Sequence, residues 1–481
     1  MTHQLLIGGV LCDASNGGTF DVIEPATGQV FATVAKATLA DADRAVAIAH
    51  KSFDDGRGAW ARTSATDRGR VLHRVAELLR ERANDIAAVE ARNAGKPLGG
   101  ALWEVNACAN TFEFFAGAAN KHHGKVIPIS KPGLDVIVHG PIGVCALIVP
   151  WNFPLMIAGW KVAPALACGN SIVLKPASLT PLTALILGGI LVEAGVPADC
   201  VTVLPGPGGS VGGALVSNPR VDKISLTGDS STGATVLTQS AANIARVSLE
   251  LGGKSATIVF ADSDVDLAAA SAPGSVFDNA GQDCCARARM LVERSVYDQF
   301  VNGFANATTA LKVGDPFGDG TDMGPLISAG QRQTSLDYLA LGREAGGRVL
   351  CGGDTPADLT ASGGYYLTPA VVADVDNSWR IAQEEIFGPV ACVIPFDTED
   401  DAIRIANDSP YGLSGSLWTG NTQRAIRVSN RMRTGVIGVN TNSSVHIEAS
   451  FGGFKRSGLG RELGMGAMDH YTESKNIYFA E

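Results

Sequence analysis

Positive charge is what this 481-residue chain is short of: 38 Lys and Arg stand against 48 Asp and Glu, a net charge of −10. Phosphate backbones are gripped by basic stripes, so nucleic-acid binding is not expected. Cysteine is sparse, nine residues with no Cys-x-x-Cys pair, and the eight histidines are scattered. That argues against a disulfide framework or a zinc cluster and for a reduced, cytoplasmic chain; no metal site is expected. Long apolar runs are missing too. The longest, Leu182 to Val196, is broken by Thr183, Gly188, Gly189, Glu193 and Gly195, too short and too interrupted to cross a bilayer. The first ten residues carry neither a basic nor a long apolar segment, so no secretory signal is expected. Internal repeats and low-complexity tracts are absent as well.

What is there describes a globular protein, 46% hydrophobic and 18% charged, long enough for two or three cores. From about Gly143, short β-branched runs alternate with helix-length apolar periodicity. Strands are predicted at Val144 to Val149, Ser171 to Leu174, Cys200 to Leu204, Ile224 to Leu226 and Val247 to Leu249. A helix is predicted from Met156 to Leu166, and another opening at Thr180-Pro181 with a capping hydroxyl and a Pro at its first position. Such alternation predicts an α/β fold with a parallel, doubly wound sheet, which binds nucleotides at the carboxyl ends of its strands. After Gly253 the alternation restarts (Ala256 to Phe260, a helical stretch, then Met290 to Val292), predicting a second doubly wound α/β domain. Residues 39–119 read as mostly helical. Val126 to His139 and Asn476 to Ala480 read as strand pieces outside either core.

Three segments carry chemistry. In Asn279-Ala-Gly-Gln-Asp-Cys-Cys-Ala-Arg-Ala-Arg289, a polar loop with a small Gly281 presents the thiols of Cys284 and Cys285. Buried structural cysteines are the ordinary alternative, but Asn279, Gln282 and Asp283 make a poor core segment. A nucleophilic thiol needs a lowered pKa or an assisting base, and Asp283 pushes the other way. Leu249-Glu250-Leu251-Gly252-Gly253 sets a lone carboxylate in an apolar run, where it is costly unless paired or functional; burial would bring it toward general-base range. Pro150-Trp151-Asn152-Phe153-Pro154 places an amide among aromatic and Pro residues, where capping the following helix is the ordinary job for Asn. The turn Gly206-Pro-Gly208-Gly-Ser-Val-Gly212 has GxGxxxG spacing, a weak dinucleotide signature close in weight to a plain tight turn. Thr227-Gly228-Asp229-Ser230 lies at a strand-to-helix junction, a natural anion site in which Asp229 would repel phosphate.

Together these segments resemble the aldehyde dehydrogenase superfamily, from about Glu24 to the C-terminus. The resemblance implies Cys284 as nucleophile, Glu250 as the base that activates water, and Asn152 with the Cys284 N–H as an oxyanion hole. It implies a cofactor site of Trp151, Lys175, Ser178, Gly208, Gly212, Thr227, Gly228, Asp229, Leu251, Glu385 and Phe387. The cofactor is NAD; Ser178 stands where relatives often carry Glu, so NADP is expected to be tolerated. Phe153, Trp160, Asp283, Cys285, Val445 and Phe451 match substrate-tunnel positions. Residues 1–120 and 142–252 would form the NAD(P)-binding domain, 253–455 the catalytic domain, and 121–141 with 456–481 a small β element for oligomerisation as a homo-oligomer, dimer or homotetramer.

Phe114 to Ala119, the cysteine loop and Ser225 to Gly228 look most like the aminoaldehyde and betaine-aldehyde branch. Trp160, Glu104 and Asp278 are candidates to cradle a cationic aldehyde. A semialdehyde or a general aliphatic or aromatic aldehyde is the alternative. A CoA-acylating relative and a silent structural homologue are weaker rivals, since Glu250, Asn152 and Cys284 are all present.

Overall fold

The computed structural model describes residues 2–481. Five parallel strands form the heart of the first sheet, in the spatial order Arg246–Glu250, Lys223–Thr227, Val144–Ile148, Ser171–Lys175 and Val201–Val203. The chain starts at Val144–Ile148, winds outward to one side, then returns to wind outward on the other. The reversal between Val144–Ile148 and Lys223–Thr227 is the topological switch point where such sheets open a crevice. The central strands are buried on both faces; Val144–Ile148 accordingly reads as an unbroken apolar run, whereas Lys223–Thr227 alternates, with Lys223 donating to Ser248 and Ser225 accepting from Lys161. Leu5–Ile7 extends one edge and Gly458–Leu459 the other, both antiparallel.

Helix Pro154–Ala167 follows the first strand with Pro at its first position and every residue buried. Apart from Lys161 it is apolar all round because it is packed on all sides, against helix Leu98–Ala118 among others. The next helix, Leu182–Glu193, corrects one expectation. Pro181 takes the cap position without any side-chain bond, and the Thr180 hydroxyl is buried without a partner. Thr180 lies one residue too early to reach the first-turn N–H groups.

The second sheet is parallel over Ala370–Ala373, Val390–Phe396, Arg289–Glu293, Ala256–Val259, Ser414–Trp418 and Val436–Val439, with antiparallel Arg348–Cys351 at one edge. In a third, three-stranded sheet Leu134–Pro141 lies between Lys125–Ile127 and Thr472–Phe479. The α/β class with two parallel sheets and a small β element is thus the observed architecture. The helical reading of residues 39–119 also holds: Leu39–Phe53, Ala65–Glu81, Ala83–Ala94 and Leu98–Ala118 are helices. The N-terminal sheet of Thr2–His3, Thr19–Glu24 and Gln29–Ala35 has no counterpart in the pattern reading, because its strands are half exposed and lack a continuous apolar run. No helix among the described residues is long and apolar enough to cross a membrane.

Candidate active site

The cysteine loop is built on strained backbone. Asn279, Ala280 and Gly281 have φ of 50°, 58° and 71° in succession. Only Gly fits at 281, where a Cβ would stand 2.3 Å from the Gly388 carbonyl oxygen. Non-glycine residues in the left-handed region each cost about 1 kcal/mol or more, and such strain gathers at functional sites. The loop is held from outside by the Ile327 N–H, which donates to Gln282 Oε1 at 2.9 Å, and from within by the Cys285 N–H, which donates to Asp283 Oδ1 at 2.8 Å. Cys285 is buried and Cys284 half-buried, so Cys284 is the reachable thiol. The hydrogen bond between the two thiols raises the Cys284 pKa well above its usual value, helped by burial and by the negative charge of Asp283 and Glu385. Cys284 rests as a thiol, so the expected push from Asp283 is real but not the largest one.

Asn152 lies against this loop. Its Nδ2 donates to the Gln282 carbonyl at 2.9 Å, and its own carbonyl accepts from Lys96 Nζ at 2.7 Å and Asn279 Nδ2 at 2.8 Å. The helix-capping reading of Asn152 falls, since Phe153 holds the cap position with no side-chain bond. Lys96, which sequence reasoning missed, is buried and ion-paired with Glu104. Burial pulls its pKa down to about 8 against the upward pull of Glu90, Asp278 and Asp283. Glu104, a candidate to cradle a cationic substrate, is therefore spent beneath Asn152. Nothing in the sequence marked the pair, because Lys96 and Asn152 are 56 positions apart.

Glu250 ends its strand, beside Thr227 on one side and Gly458 on the other. Both carboxylate oxygens are buried without a hydrogen-bond partner. Burial raises its pKa well above the usual range, and Glu462 adds to this while Lys161 and Arg461 oppose it. Lys161 donates to Glu462 Oε1 and, at 3.0 Å, to Ser225 Oγ. A side chain at 452 would come within 2.7 Å of Glu250 Oε1, so Gly452 leaves the carboxylate its room.

The residues assigned to the cofactor gather at the switch point. Lys175 ends its strand and donates to the Pro176 carbonyl at 2.9 Å; burial lowers its pKa to about 8. Ser178 Oγ donates to the Gly206 carbonyl at 2.9 Å. Gly208 opens the turn Gly208–Gly212 with nothing within 4 Å of a would-be Cβ, and Gly212 packs beside the Lys175 stem. Thr227 Oγ1 is buried and unpartnered next to Gly228. Glu385 Oε1 accepts the Gly253 N–H at 2.8 Å, and burial raises its pKa to about 7. Leu251 is buried, and Phe387, at φ 58°, meets Trp151 edge-on with ring centroids 5.2 Å apart. Asp229 is the exception to the anion-site expectation. Its carboxylate accepts from the N–H groups and hydroxyls of both Ser231 and Thr232, capping helix Ser230–Ser240 and filling that helix end itself. Burial works to raise its pKa, but these hydrogen bonds outweigh it and hold the carboxyl below the usual range.

On the far side of Cys284 a cavity of about 680 Å³ runs to the surface. Phe153, Trp160, Asp283, Cys285, Val445 and Phe451 all line it, as does Asp278. Trp160 and Phe451 touch edge to face at 5.2 Å, and mutual N–H···O bonds of 2.7 Å between Phe451 and Glu462 fix the loop that carries Phe451. A second groove of about 760 Å³, walled by Glu24, Phe31, Arg92 and Leu182 among others, contains none of these residues. Its size does not bear on the chemistry, because no nucleophile faces it.

The family model for the aldehyde dehydrogenase family matches residues 12–477. A betaine aldehyde dehydrogenase of Bacillus subtilis is 38% identical over 479 residues, spanning 99% of this chain and 97% of that protein. Among solved structures, the P. syringae indole-3-acetaldehyde dehydrogenase AldA, in complex with NAD+ and IAA, superposes with a TM-score of 0.97 at 40% identity, covering 100% and 97% of the two chains. Betaine aldehyde dehydrogenase from Staphylococcus aureus in complex with NAD+ gives 0.96 at 36% identity, covering 99% and 94%. Likeness of this extent in both sequence and fold leaves one conclusion: the chain belongs to the aldehyde dehydrogenase family, NAD-dependent enzymes that oxidise aldehydes.

Proposed function

We propose that the chain oxidises an aldehyde to the carboxylic acid by covalent catalysis on Cys284. The observation that carries this is the meeting of a reachable thiol, an amide and an unpaired buried carboxylate between a switch-point crevice and an aromatic-walled cavity. Cys284 gives its proton to water and the thiolate sulfur attacks the carbonyl carbon, whose oxygen takes up negative charge facing Asn152 Nδ2 and the Cys284 N–H. A nicotinamide cofactor held in the crevice would supply the hydride acceptor that the oxidation requires. Glu250 then takes a proton from water, and the resulting hydroxide releases the acid. The unpartnered Thr227 hydroxyl, the Lys175 cation and the open turn at Gly208 fit a dinucleotide's hydroxyls and phosphates. Trp151, Leu251, Glu385 and Phe387 would hold the nicotinamide end. Ser178 brings no negative charge, so NADP is accepted as well. The test is reduced-cofactor formation over a panel of aminoaldehydes, betaine aldehyde, semialdehydes and plain aldehydes, each with NAD and with NADP. No turnover with any pair would bring the proposal down.

Two variants probe the supports of this site. Lys96→Met should slow the single-turnover burst about tenfold or more, since losing an oxyanion donor outright costs about 10²–10³ and Lys96 acts through the Asn152 backbone. Unfolding midpoints must be followed alongside, because stranding Glu104 as a buried unpaired charge costs about 3–5 kcal/mol. Asp229→Ser should lower the KM for NAD by about three- to tenfold: Ser keeps a helix cap but removes a negative charge near the pyrophosphate. An unchanged KM would place the pyrophosphate away from Asp229.

The division into a cofactor domain (1–120, 142–252), a catalytic domain (253–455) and a β element (121–141, 456–481) is part of the same reading, supported by the two separate parallel sheets. The three-stranded sheet exposes Val126, Leu134, Tyr478 and Phe479, apolar side chains suited to a second copy of the chain. A homodimer or homotetramer follows, to be measured by sedimentation. Nine unpaired cysteines among the described residues suit a reducing cytoplasm.

A further inference from the structure

Arg287 lies three residues beyond the proposed nucleophile, lines the same cavity, and is only 4% exposed. Its Nε donates to Ser416 Oγ at 3.2 Å, Nη1 to the Cys285 carbonyl at 3.2 Å, and Nη2 to Ser444 Oγ at 2.7 Å. All three acceptors are uncharged. The buried lysines nearby are matched differently: Lys96 has Glu104 and Lys161 has Glu462, each in direct contact. A guanidinium offers five N–H donors, and these bonds use three, so two remain. Leaving a buried charge without a direct ion pair is expensive, and the expense is relieved when an anion arrives.

The other titratable groups facing the cavity do not supply that anion. Asp283 is near enough for the Arg287 charge to pull on its pKa, but the two form no direct ion pair: the Cys285 N–H engages its carboxylate, and burial raises its pKa. Asp278 is likewise raised by burial, with Lys96 as the cation acting on it. His446 and Glu448 stand exposed on the loop that continues from Ser444. Phe153, Trp160 and Phe451 provide an aromatic wall. An aldehyde lying along that wall with its carbonyl at Cys284 would find Arg287 and the Ser444 hydroxyl as the polar end of its surroundings.

We propose that Arg287 and Ser444 bind a carboxylate at the far end of the substrate, so that the preferred aldehydes are ω-oxocarboxylates. A planar guanidinium matches a carboxylate's two oxygens, and its charge disfavours an ammonium or quaternary ammonium in the same place. This rests on the reading of Cys284 as nucleophile and of the cavity as the substrate's path. It departs from the aminoaldehyde and betaine-aldehyde branch expected from the sequence motifs.

The experiment compares kcat/KM for a ladder of ω-oxocarboxylates, beginning with 4-oxobutanoate and 5-oxopentanoate, against the alkanal and the aminoaldehyde of each length. The wild-type enzyme should favour the oxo acid at one or more lengths by about tenfold or more over both others. In Arg287→Met the ratio of kcat/KM for the oxo acid over the alkanal should fall about 10²-fold, chiefly through KM, with Arg287→Lys in between. Ser444→Ala leaves the arginine in place and should lower the same ratio severalfold, which keeps the test alive if Arg287→Met folds poorly. Equal losses on all three classes would make Arg287 a structural tie between the cysteine loop and strand Ser414–Trp418 and overturn the proposal. A wild-type preference for the aminoaldehyde would overturn it too. Absence of turnover with every class would instead defeat the reading of Cys284 and Glu250, and the carboxylate site with it.

Discussion

Cys284→Ala abolishes aldehyde oxidation, with kcat falling by about 10⁴-fold or more, the scale on which losing a catalytic nucleophile is felt. Cys285 cannot stand in for it: that side chain is 5% exposed, and its N–H is tied to Asp283. The removed thiol donates to no main-chain group that holds the loop together, so the unfolding midpoint and NAD affinity should stay close to wild type. Absorbance of reduced cofactor, cofactor titration by protein fluorescence and thermal melting separate these effects. Turnover surviving in the folded variant would remove covalent catalysis from this cysteine. The high resting pKa of Cys284 adds a pH signature to the wild-type enzyme. Because the thiolate is the attacking form, the burst should quicken as pH rises toward that pKa.

Glu250→Gln should separate the two halves of the reaction. Attack on the carbonyl does not need the carboxylate, so about one equivalent of reduced cofactor should still form per active site. Hydrolysis of the thioester does need it, and steady turnover should fall about 10²–10⁴-fold, the usual worth of a positioned general base. The sign of the pH effect follows from the environment. Burial and Glu462 hold the Glu250 carboxyl above the ordinary range, and only its ionised form accepts a proton from water. Steady-state kcat should therefore fall as pH drops through that raised pKa, at a higher pH than a solvent-exposed glutamate would give. In Glu250→Gln that acid limb should vanish. Rapid-mixing traces across pH give both quantities at once. A proportional loss of burst and steady rate would move Glu250 out of deacylation, and rescue of turnover by added CoA would revive the acylating alternative.

The unpaired state of Glu250 gives these expectations their physical basis. A structural glutamate in the core would have been given a cation, as Glu104 has Lys96 and Glu462 has Lys161. Glu250 has neither cation nor hydrogen-bond donor on its oxygens, and Gly452 keeps space beside it. A carboxylate kept unsatisfied in this way is available to water and substrate, at a cost in stability that its neighbours must offset.

The sequence by itself determined the α/β class, the five parallel strands of the first sheet and two of the second, the helical region after Leu39, and the loop thiols, amide and carboxylate to examine. These features are local or periodic. A strand buried on both faces writes itself as an apolar run, and the Gly-Gln-Asp-Cys loop stands out as polar residues where a core would need apolar ones. Tertiary structure alone decided how those groups are tuned. That Lys96 grips the Asn152 backbone, that Glu104 is consumed by Lys96, and that Glu462 faces Glu250 depend on residues 8 to more than 200 positions apart. The fate of Asp229 shows the same limit at short range. Its charge predicted repulsion of phosphate, but whether the carboxylate faced the crevice or turned back to cap its own helix depended on backbone geometry. Arg287 could be read as a charge near the thiol, while its lack of a direct ion pair emerged only once Ser416 and Ser444, 129 and 157 residues away, came within hydrogen-bond distance. Electrostatic energies vary with distance and burial, and neither is encoded in the order of residues.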